Sequence, residues 1–292
     1  HEVVDHRTPH WTILPTLRSE SQPLLGREAE VAQLRAAIAE VVDDHRAAVL
    51  YATGPTGMGK TRLAAELLRL LEKESAEPFR LLVGRARPGP GERLGLLASA
   101  IGSRARHATR TEGAPSIAPE APIEERRVAI ARLAREATVD PTAQGPIASF
   151  LGELLGVPMP STTPLNAARA NPRLMADRVE LAAKDYLVGL ADAGPVALVL
   201  EDIQWSDTRS LSVCGEVVEL ARDRPFMIFA TARNEHMETP PPPFDDDDAI
   251  ALRLRGLRAT DVKALAAWMS GHEIADDLAR ALVERTQGTP FF

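Results

Sequence analysis

The chain has 292 residues, of which 45% are hydrophobic and 26% are charged, a balance typical of a globular α/β core with a smaller second domain. Its formal net charge of −7 argues against a segment that binds a nucleic-acid backbone by itself. No apolar run approaches the roughly 18 residues that a membrane-spanning helix needs, and no basic-then-apolar signal segment opens the chain. The single cysteine, Cys214, cannot form an internal disulfide, which fits a reducing compartment. We therefore expect a cytoplasmic location and no membrane partner.

The N-terminal residues show no helical period and contain Pro9 and Pro15, so residues 1–22 are predicted to be a linker from an upstream region. Because the chain begins with His1 rather than methionine, we expect a fragment of a larger protein with attached domains outside it. An amphipathic helix is predicted over residues 27–42, where apolar residues recur at helical spacing. Its apolar face holds Val31, Leu34, Ile38, Val41 and Val42.

A glycine-rich octapeptide at residues 54–61 matches the pattern G-x-x-x-x-G-K-[ST]. It lies between an apolar run at 47–52, predicted to be a strand, and a predicted helix over 61–71. Three glycines let the backbone curl, so that successive N–H groups and the helix N-terminus converge on phosphate oxygens. We therefore predict a nucleotide-phosphate site. Its candidate residues are Gly54, Pro55, Thr56, Gly57, Met58, Gly59, Lys60, Thr61 and Arg62.

Two side chains of this octapeptide have expected chemical roles. Lys60 should reach the β- and γ-phosphates, and the Thr61 hydroxyl should coordinate Mg²⁺. Pro55 lacks an N–H group, so one potential donor to phosphate is lost. A glycine-rich turn without a ligand is the alternative interpretation, and the strand–loop–helix context argues against it.

A phosphate loop of this kind needs an acidic group at the end of a neighbouring strand, and Glu201 and Asp202 supply it. Six apolar residues precede them, and the run is short, rich in Val and Leu, and begins after Gly194, as expected for a fully buried parallel strand. Adjacent residues of a strand point to opposite faces, so one carboxylate can bind Mg²⁺ while the other takes a different role. Considered alone, such a pair could also be a solvated strand end.

The acidic pair follows the phosphate loop at a long interval, since Lys60 and Glu201 lie 141 positions apart. A second strand is predicted at residues 79–83, and a minimal strand–helix alternation would need far fewer positions after it. A helical insertion over residues 94–193 explains the interval. Its predicted helices cover residues 94–101, 123–137, 147–155 and 174–190.

The last third of the chain is predicted to contain a core strand that ends at Arg233, a final strand at 250–254, and helices at 260–269 and 275–286. Four consecutive aspartates at 245–248 lack the alternating spacing of a calcium loop, so we predict an exposed loop there. The seven histidines show no metal-ligand spacing.

Cys214 and an arginine-rich segment each allow a plain and a more specific interpretation. Cys214 lies among apolar residues of a predicted helix, which favours buried packing over a redox role. Arginines are concentrated between Arg80 and Arg110, where Glu92 is the single acidic residue. This segment is either a solvated face or a contact for a partner domain or an acidic effector.

Four stretches, taken in chain order, resemble one family. They are Leu-Gly-Arg-Glu at residues 25–28, Val-Leu-Glu-Asp-Ile-Gln-Trp-Ser-Asp at 199–207, the strand and arginine at 226–233, and Gly-Thr-Pro at 288–290. The second is similar to the extended acidic motif E-D-x-x-W-x-D of the STAND class of signal-transduction ATPases. These are relatives of the AAA ATPases found in large LuxR-type regulators and in bacterial kinase or cyclase fusion proteins. The resemblance covers residues 23–292.

The resemblance implies a three-layer α/β fold of the P-loop NTPase type, with an AAA-like parallel sheet, a helical insertion and the start of a helical lid. The ATPase core would cover residues 23–257, including the insertion at 94–193, and the lid would begin within residues 258–292. The implied cofactors are ATP or ADP and Mg²⁺. The implied activity is slow, Mg²⁺-dependent ATP hydrolysis.

The resemblance also implies roles for individual residues. Arg233 would sense the γ-phosphate and act with Lys60 and the acidic pair in catalysis. Glu201 would serve Mg²⁺ together with Thr61, and Asp202 would orient water, although Asp is the commoner Mg²⁺ ligand and the two could exchange roles. The remaining candidates would border the adenine. These are Leu25, Gly26 and Arg27, with Pro290 on the opposite side.

Two classes of function are compatible with these features. The first is a nucleotide-dependent switch for signal transduction or transcription regulation in a multidomain bacterial-type regulator, with effector or sensor domains as partners and a nucleotide-dependent homo-oligomer as a further possibility. The Trp205-Ser206-Asp207 extension, the Gly-Thr-Pro ending and the acidic balance favour it. The second is an AAA-type motor or loader that remodels DNA or protein, because the motif at 25–28 also resembles those proteins. A small-molecule kinase would need a substrate-binding lid, which the sequence does not show.

Overall fold

The computed structural model describes residues 24–89, 92–108, 116–233 and 239–291, with residues 106–108 described by their backbone alone. The predicted linker over residues 1–22 and Arg110 lie outside the described residues. Five strands form one sheet: β1 (Ala48–Thr53), β2 (Arg80–Arg85), β3 (Val196–Glu201), β4 (Phe226–Ala232) and β5 (Ile250–Arg253). The described helices are α1 (Glu28–Asp43), α2 (Lys60–Lys73), α3 (Gly95–Ala108), α4 (Ile123–Ala137), α5 (Pro141–Leu154), α6 (Thr163–Arg169), α7 (Pro172–Asp192), α8 (Thr208–Leu220), α9 (Ala259–Ser270) and α10 (Asp276–Thr286).

The sheet has the strand order β2-β3-β4-β1-β5, and every neighbouring pair is parallel. Parallel strands place their carboxyl ends at one edge of a sheet, and ligands of open α/β sheets bind outside that edge. The loop after β1, the acidic pair after β3 and the arginine after β4 therefore meet at the same edge. Because β3 pairs with β4, the strand that precedes Arg233 is the neighbour of the acidic strand.

Side-chain alternation along the strands creates two separate apolar cores, one on each face of the sheet. Val199 and Phe229 pack in the core that is covered by α1 and α2, which we term the α2 face. Leu198 and Ile228 pack in the core that is covered by α3 to α8, the α8 face. Every residue of β3 is buried, as expected for a central parallel strand. The predicted three-layer α/β architecture is confirmed.

Five helices, α3 to α7, lie between β2 and β3, in the part of the chain where the sequence predicts a helical insertion. The helix predicted over residues 123–137 is found as Ile123–Ala137. The helix predicted to start at residue 147 begins earlier, at Pro141, because the Asp140 carboxylate accepts the Thr142 N–H at 2.9 Å. A proline at the first helical position needs no N–H partner, so a residue that suggested a turn instead begins a helix.

Two further helix boundaries differ from the prediction for the same reason. Helix α6 (Thr163–Arg169) was not predicted, and it begins after Thr162, whose side chain accepts the N–H of Leu165. Helix α7 begins at Pro172 rather than at residue 174, with Asn171 as its N-cap. In both helices a polar cap and a proline lie together at the start, a combination that resembles a loop when the residues are considered singly.

Three arginines of the arginine-rich segment pair with acids from other elements, and two of them, Arg85 and Arg93, remain 56% exposed. Arg85 lies 3.3 Å from Asp202, Arg104 lies 3.0 Å from Glu136, and Arg93 pairs with the buried Glu180 of α7. The first pair joins the ends of β2 and β3, and the other two join α3 and the residues before it to α4 and α7. The segment therefore supports the fold in at least three places.

Cys214 and the aspartate loop have the structural settings that were predicted. Cys214 is fully buried in α8, and burial raises the pKa of its thiol to about 12, so it packs as an apolar side chain. Residues 245–248 are exposed, while Phe244 beside them is buried against Tyr51 with ring centroids 5.7 Å apart. The described ranges contain no group of three or more His, Cys, Asp or Glu side chains placed to hold a metal. They also contain no helix long and apolar enough to cross a membrane.

Candidate functional site

The octapeptide at residues 54–61 forms a loop that only glycine permits at its bends. Gly57 and Gly59 have φ angles of 83° and 92°, in the left-handed region, and Gly59 is the N-cap of α2. A Cβ at Gly54 would lie 3.0 Å from the Leu254 carbonyl oxygen, because the end of β5 passes close to the loop. The loop thus connects a buried strand to the N-terminus of α2, where backbone N–H groups are available to phosphate.

The side chains of the loop divide into inward and outward sets. The Lys60 ammonium is buried and donates to the carbonyl oxygens of Gly54 at 2.6 Å and Pro55 at 2.8 Å. Met58 is buried in the core of the α2 face, so it anchors the loop to the protein interior. Thr56 and Thr61 are exposed, which leaves the Thr61 hydroxyl accessible to a metal ion, and Arg62 is half-buried at the same helix end.

Glu201 is a buried carboxylate without a hydrogen-bond partner. It is 2% exposed, and neither carboxylate oxygen has a partner in the part of the chain that the structure describes. Burial raises its pKa to about 7, with a further rise from Asp202, and Arg85 acts in the opposite direction. Ala197 and Val199 of the same strand pack on the α2 face, so alternation directs Glu201 to the face that carries the phosphate loop and Thr61.

Asp202 has a different environment, because the backbone turns sharply at this residue. Its φ of 57° lies in the left-handed region, which an aspartate tolerates better than most residues. The backbone N–H donates to the Thr231 hydroxyl at 3.2 Å, and the carboxylate accepts from Arg85 at 3.3 Å and from the Gln204 amide at 3.4 Å. Glu201 is thus buried without hydrogen-bond partners among the described residues, whereas Asp202 is held by three groups.

Gln204 connects the acidic strand to the arginine strand. Its amide nitrogen donates to Asp202, and its carbonyl oxygen accepts the backbone N–H of Arg233 at 3.1 Å. Arg233 is half-buried, and its guanidinium forms no hydrogen bond or ion pair with another residue of the described ranges. The charged group is therefore placed at the edge of the sheet where β3 and β4 end.

Asp207, the last acid of the extended motif, caps two helices at once. Its carboxylate accepts from the Ser210 N–H at 2.8 Å and hydroxyl at 2.6 Å, which caps α8. The same carboxylate accepts from the N–H groups of Leu94 at 2.9 Å and Leu96 at 3.4 Å, at the start of α3. Asp207 is thus a structural connection and not part of the nucleotide-facing edge.

Three of the four residues proposed from the sequence to border the adenine lie before α1. Leu25 is half-buried, and Gly26 has a φ of 65° with the side chains of Asp261 and Leu257 packed against it. Arg27 is 5% exposed, and its Nη2 donates to the carbonyl oxygens of Met58 at 3.1 Å and Arg255 at 2.6 Å. Arg27 therefore contacts the phosphate loop directly from the protein side.

The Gly-Thr-Pro segment lies against the phosphate loop. A Cβ at Gly57 would lie 2.8 Å from the Thr289 methyl group and 3.1 Å from Cβ of Phe291. The Leu257 N–H donates to the Gly288 carbonyl at 2.7 Å, which fastens the segment to the chain that follows β5. Pro290 is thereby brought within the immediate neighbourhood of the loop.

Several residues of the site were not predicted from the sequence. Thr231 and Gln204 orient Asp202, and Arg85 approaches the same residue from β2. The contacts of Arg85 and Thr231 join different strands, so no spacing along the chain indicated them. The capping role of Asp207 could have been found, since an aspartate directly before a helix is a common N-cap.

The fold and the loop together define the class of protein. A parallel five-stranded sheet with helices on both faces, a glycine loop between β1 and α2, and an acidic strand end at the same edge are the features of a P-loop nucleoside triphosphatase. The AAA ATPase domain family matches residues 23–229, and the chain belongs to this family.

Solved structures are also similar to this chain. The Aeropyrum pernix ORC1 protein in complex with DNA is 16% identical, with a TM-score of 0.45, over 95% of this chain and 59% of that one. The HORMA:CdnC:Trip13 complex of E. coli MS115-1 is 11% identical, with a TM-score of 0.44, over 89% of this chain and 73% of the other. Drosophila ORC bound to DNA is 12% identical, with a TM-score of 0.48, over 98% and 57%. The chain thus spans about three fifths of the ORC1 chain, and no curated protein matches it.

Proposed function

We propose that this AAA ATPase domain is a nucleotide-dependent switch of the STAND type, which binds ATP or ADP with Mg²⁺ and hydrolyses ATP slowly inside a larger cytoplasmic regulator. The observation that carries this proposal is the contact between the Gly-Thr-Pro segment and Gly57 of the phosphate loop. Because this segment touches the loop, we expect it to respond when phosphate occupies the loop. Nucleotide state can thereby be transmitted to the helices α9 and α10.

The residues at the edge of the sheet fit a nucleotide and its metal ion. Lys60 is already held inside the loop by two carbonyl oxygens, where a phosphate could take over its hydrogen bonds. The carboxylate of Glu201 is buried without a partner on the face of the sheet that carries Thr61, and a buried unpartnered carboxylate is stabilised by a cation. Mg²⁺ would neutralise developing negative charge on the phosphates.

The remaining residues support the division of roles proposed for the pair. Asp202 is half-buried and oriented by Arg85, Gln204 and the Thr231 hydroxyl, as suits a group that orients water. Arg233 lies at the end of the neighbouring strand with its guanidinium available for a terminal phosphate. We infer that Glu201 serves the metal ion and that Asp202 serves the water.

The helices α9 and α10 have the properties of a mobile lid. Helix α9 has no buried residue, and α10 has one, Ala279. They pack on each other, and the pair is joined to the rest of the domain through the chain after β5, the Gly288 contact and the packing of Asp261 against Gly26. Elements with few buried apolar contacts change position at low cost in free energy. This supports a lid whose position depends on nucleotide.

Hydrogen exchange tests the switch. The backbone of residues 275–291 should exchange more slowly with ADP than without nucleotide, and the protection should differ between ADP and ATP. Protection limited to residues 54–61 would contradict coupling of the lid to the nucleotide. Residues 123–137 of α4 serve as the internal control, since this helix lies away from the loop.

The competing function is an AAA-type motor or loader, and turnover distinguishes the two. A switch should hydrolyse ATP slowly and at the same rate with and without DNA. Rapid turnover that rises when DNA or a protein polymer is added would support the motor and overturn the switch.

A further inference from the structure

The Arg27 guanidinium joins the phosphate loop to two other segments of the chain. Its Nη2 donates to the Met58 carbonyl at 3.1 Å and to the Arg255 carbonyl at 2.6 Å, and its Nη1 lies 3.4 Å from the Gly26 carbonyl. Nη2 carries two hydrogens, so both are used. Arg27 is 5% exposed, so these charge-assisted hydrogen bonds are shielded from water.

The contact with Met58 fixes the orientation of one peptide plane of the loop. In a trans peptide the carbonyl of one residue and the N–H of the next point in opposite directions. Holding the Met58 carbonyl on the side of Arg27 therefore turns the Gly59 N–H away from Arg27, towards the opposite side of the loop. Gly59 is the N-cap of α2 and has a φ of 92°. Because glycine has no Cβ, this residue does not itself fix the orientation of its peptide plane.

An external restraint on the Met58 carbonyl adds to the hydrogen bonds that the loop makes within itself. Within it, the Met58 N–H reaches the Pro55 carbonyl at the long distance of 3.4 Å. The Lys60 ammonium also restrains the Gly54 and Pro55 carbonyls, but these contacts can change when it binds a phosphate. The Arg27 contact lies on the Met58 carbonyl and is independent of that exchange.

We propose that Arg27 is a positioning residue for the phosphate loop, which orients the Gly59 N–H towards the phosphate by holding the Met58 carbonyl. This inference rests on the proposed nucleotide binding at the loop. It assigns Arg27 to the phosphate end of the ligand, whereas the resemblance places it beside the adenine. Its bond to the Arg255 carbonyl ties the same restraint to the chain that leads into α9.

Two ligands separate the two roles: Mg·ATP, and inorganic tripolyphosphate with Mg²⁺, which lacks the base. Arg27→Ala should weaken both by the same factor, about 10-fold to 100-fold, as expected for the loss of charge-assisted hydrogen bonds. Arg27→Lys keeps the charge and one donor group, so it should restore part of the affinity for both ligands. Calorimetry on the full chain gives each dissociation constant.

Arg35→Ala is the matched control. Arg35 lies on α1, is exposed, and forms two hydrogen bonds with Glu74 away from the loop, so its removal should change neither affinity. Thermal melts of each variant without ligand verify that it is folded. If Arg27→Ala does not fold, the dissociation constants of Arg27→Lys for the two ligands are compared with those of the parent chain instead.

A loss for Mg·ATP with unchanged tripolyphosphate binding would place Arg27 at the adenine and overturn the proposal. Unchanged affinity for both ligands would overturn it as well. A parent chain that binds neither ligand would instead refute the proposed function itself, and with it the positioning role.

Discussion

The Asp207 carboxylate accepts the backbone N–H of Leu94 at 2.9 Å, although the two residues lie 113 positions apart in the chain. Leu94 has a φ of 61°, so a residue in the left-handed region is held by this bond. Arg209, on the first turn of the helix that Asp207 caps, pairs with the buried Glu180 of α7. The start of α8 thus holds both the first and the last helix of the region between β2 and β3.

Asp207→Ala should therefore destabilise the protein more than the loss of an ordinary cap. Removing a single N-cap costs about 1 kcal/mol, and the bonds to Leu94 and Leu96 bring the expected loss to about 2–3 kcal/mol. Asp140→Ala is the control, because Asp140 caps α5 alone and should cost about 1 kcal/mol. Urea denaturation measures both. Equal losses would show that the α3 contact adds nothing to stability.

Lys60→Ala should abolish nucleotide binding while the chain remains folded. The ammonium contacts the loop carbonyls of Gly54 and Pro55, and these oxygens can turn to solvent when it is removed. Its interaction with phosphate has no substitute in the loop. Calorimetry with ATP and a thermal melt check both statements. Binding within about threefold of the parent would show that the loop is not the phosphate site.

Arg233→Ala should weaken ATP binding more than ADP binding. A charge-assisted contact to the terminal phosphate contributes roughly 1.5–3 kcal/mol, and ADP lacks that group. The backbone bond from Arg233 to Gln204 is unaffected by the change, so the acidic pair keeps its orientation. Arg222→Ala is the control, since Arg222 is an exposed residue paired with Glu219. Equal losses for ATP and ADP would assign Arg233 a structural role.

The amide variants of the acidic pair should separate binding from hydrolysis. Glu201→Gln removes the charge that faces Thr61 and should reduce the Mg²⁺-dependent part of ATP affinity. Asp202→Asn should leave affinity nearly unchanged and slow turnover by roughly 10²-fold or more, as the loss of a general base does. Equilibrium binding and single-turnover hydrolysis are measured on both variants. Parent rates in both would mean that the domain binds nucleotide without hydrolysing it.

Glu201 also predicts a pH dependence of stability in the absence of nucleotide. Burial raises its pKa from 4.5 to about 7 in the folded protein. A raised pKa of an acid contributes stability below pH 4.5, and this contribution is lost as the pH rises through about 7. Glu201→Gln has no charge to bury, so its stability relative to the parent should increase over this window by up to about 3 kcal/mol.

Denaturation at pH 5 and pH 8 tests this difference. Mg·ATP should reduce it at pH 8, because a cation beside the carboxylate stabilises the charged form. A constant difference between variant and parent at both pH values would show that the carboxylate of Glu201 is solvated or paired in solution.

Local sequence patterns were sufficient for the elements of this fold that depend on near neighbours. The pattern of residues 54–61 predicted a loop between β1 and α2, because the required glycines and the lysine are adjacent in the chain and their backbone angles are set locally. The run before Glu201 predicted a buried strand by length and composition, and β3 is found there. The sequence did not predict the helix starts at Pro141, Thr163 and Pro172. Proline and capping residues begin a helix when they lie at its first positions, but they interrupt a helix when they lie inside it.

Only the tertiary structure decided how the candidate residues relate to one another. The sequence could not assign different environments to Glu201 and Asp202, because burial and pairing depend on the neighbouring strands and on Arg85, Thr231 and Gln204. Nor could it show that Arg27 holds the Met58 carbonyl, since these residues lie 31 positions apart and become neighbours only when α1 packs beside α2. Residues that are adjacent in the chain determine the conformation of the phosphate loop. Burial and contacts between distant segments determine the charge and orientation of the side chains around it.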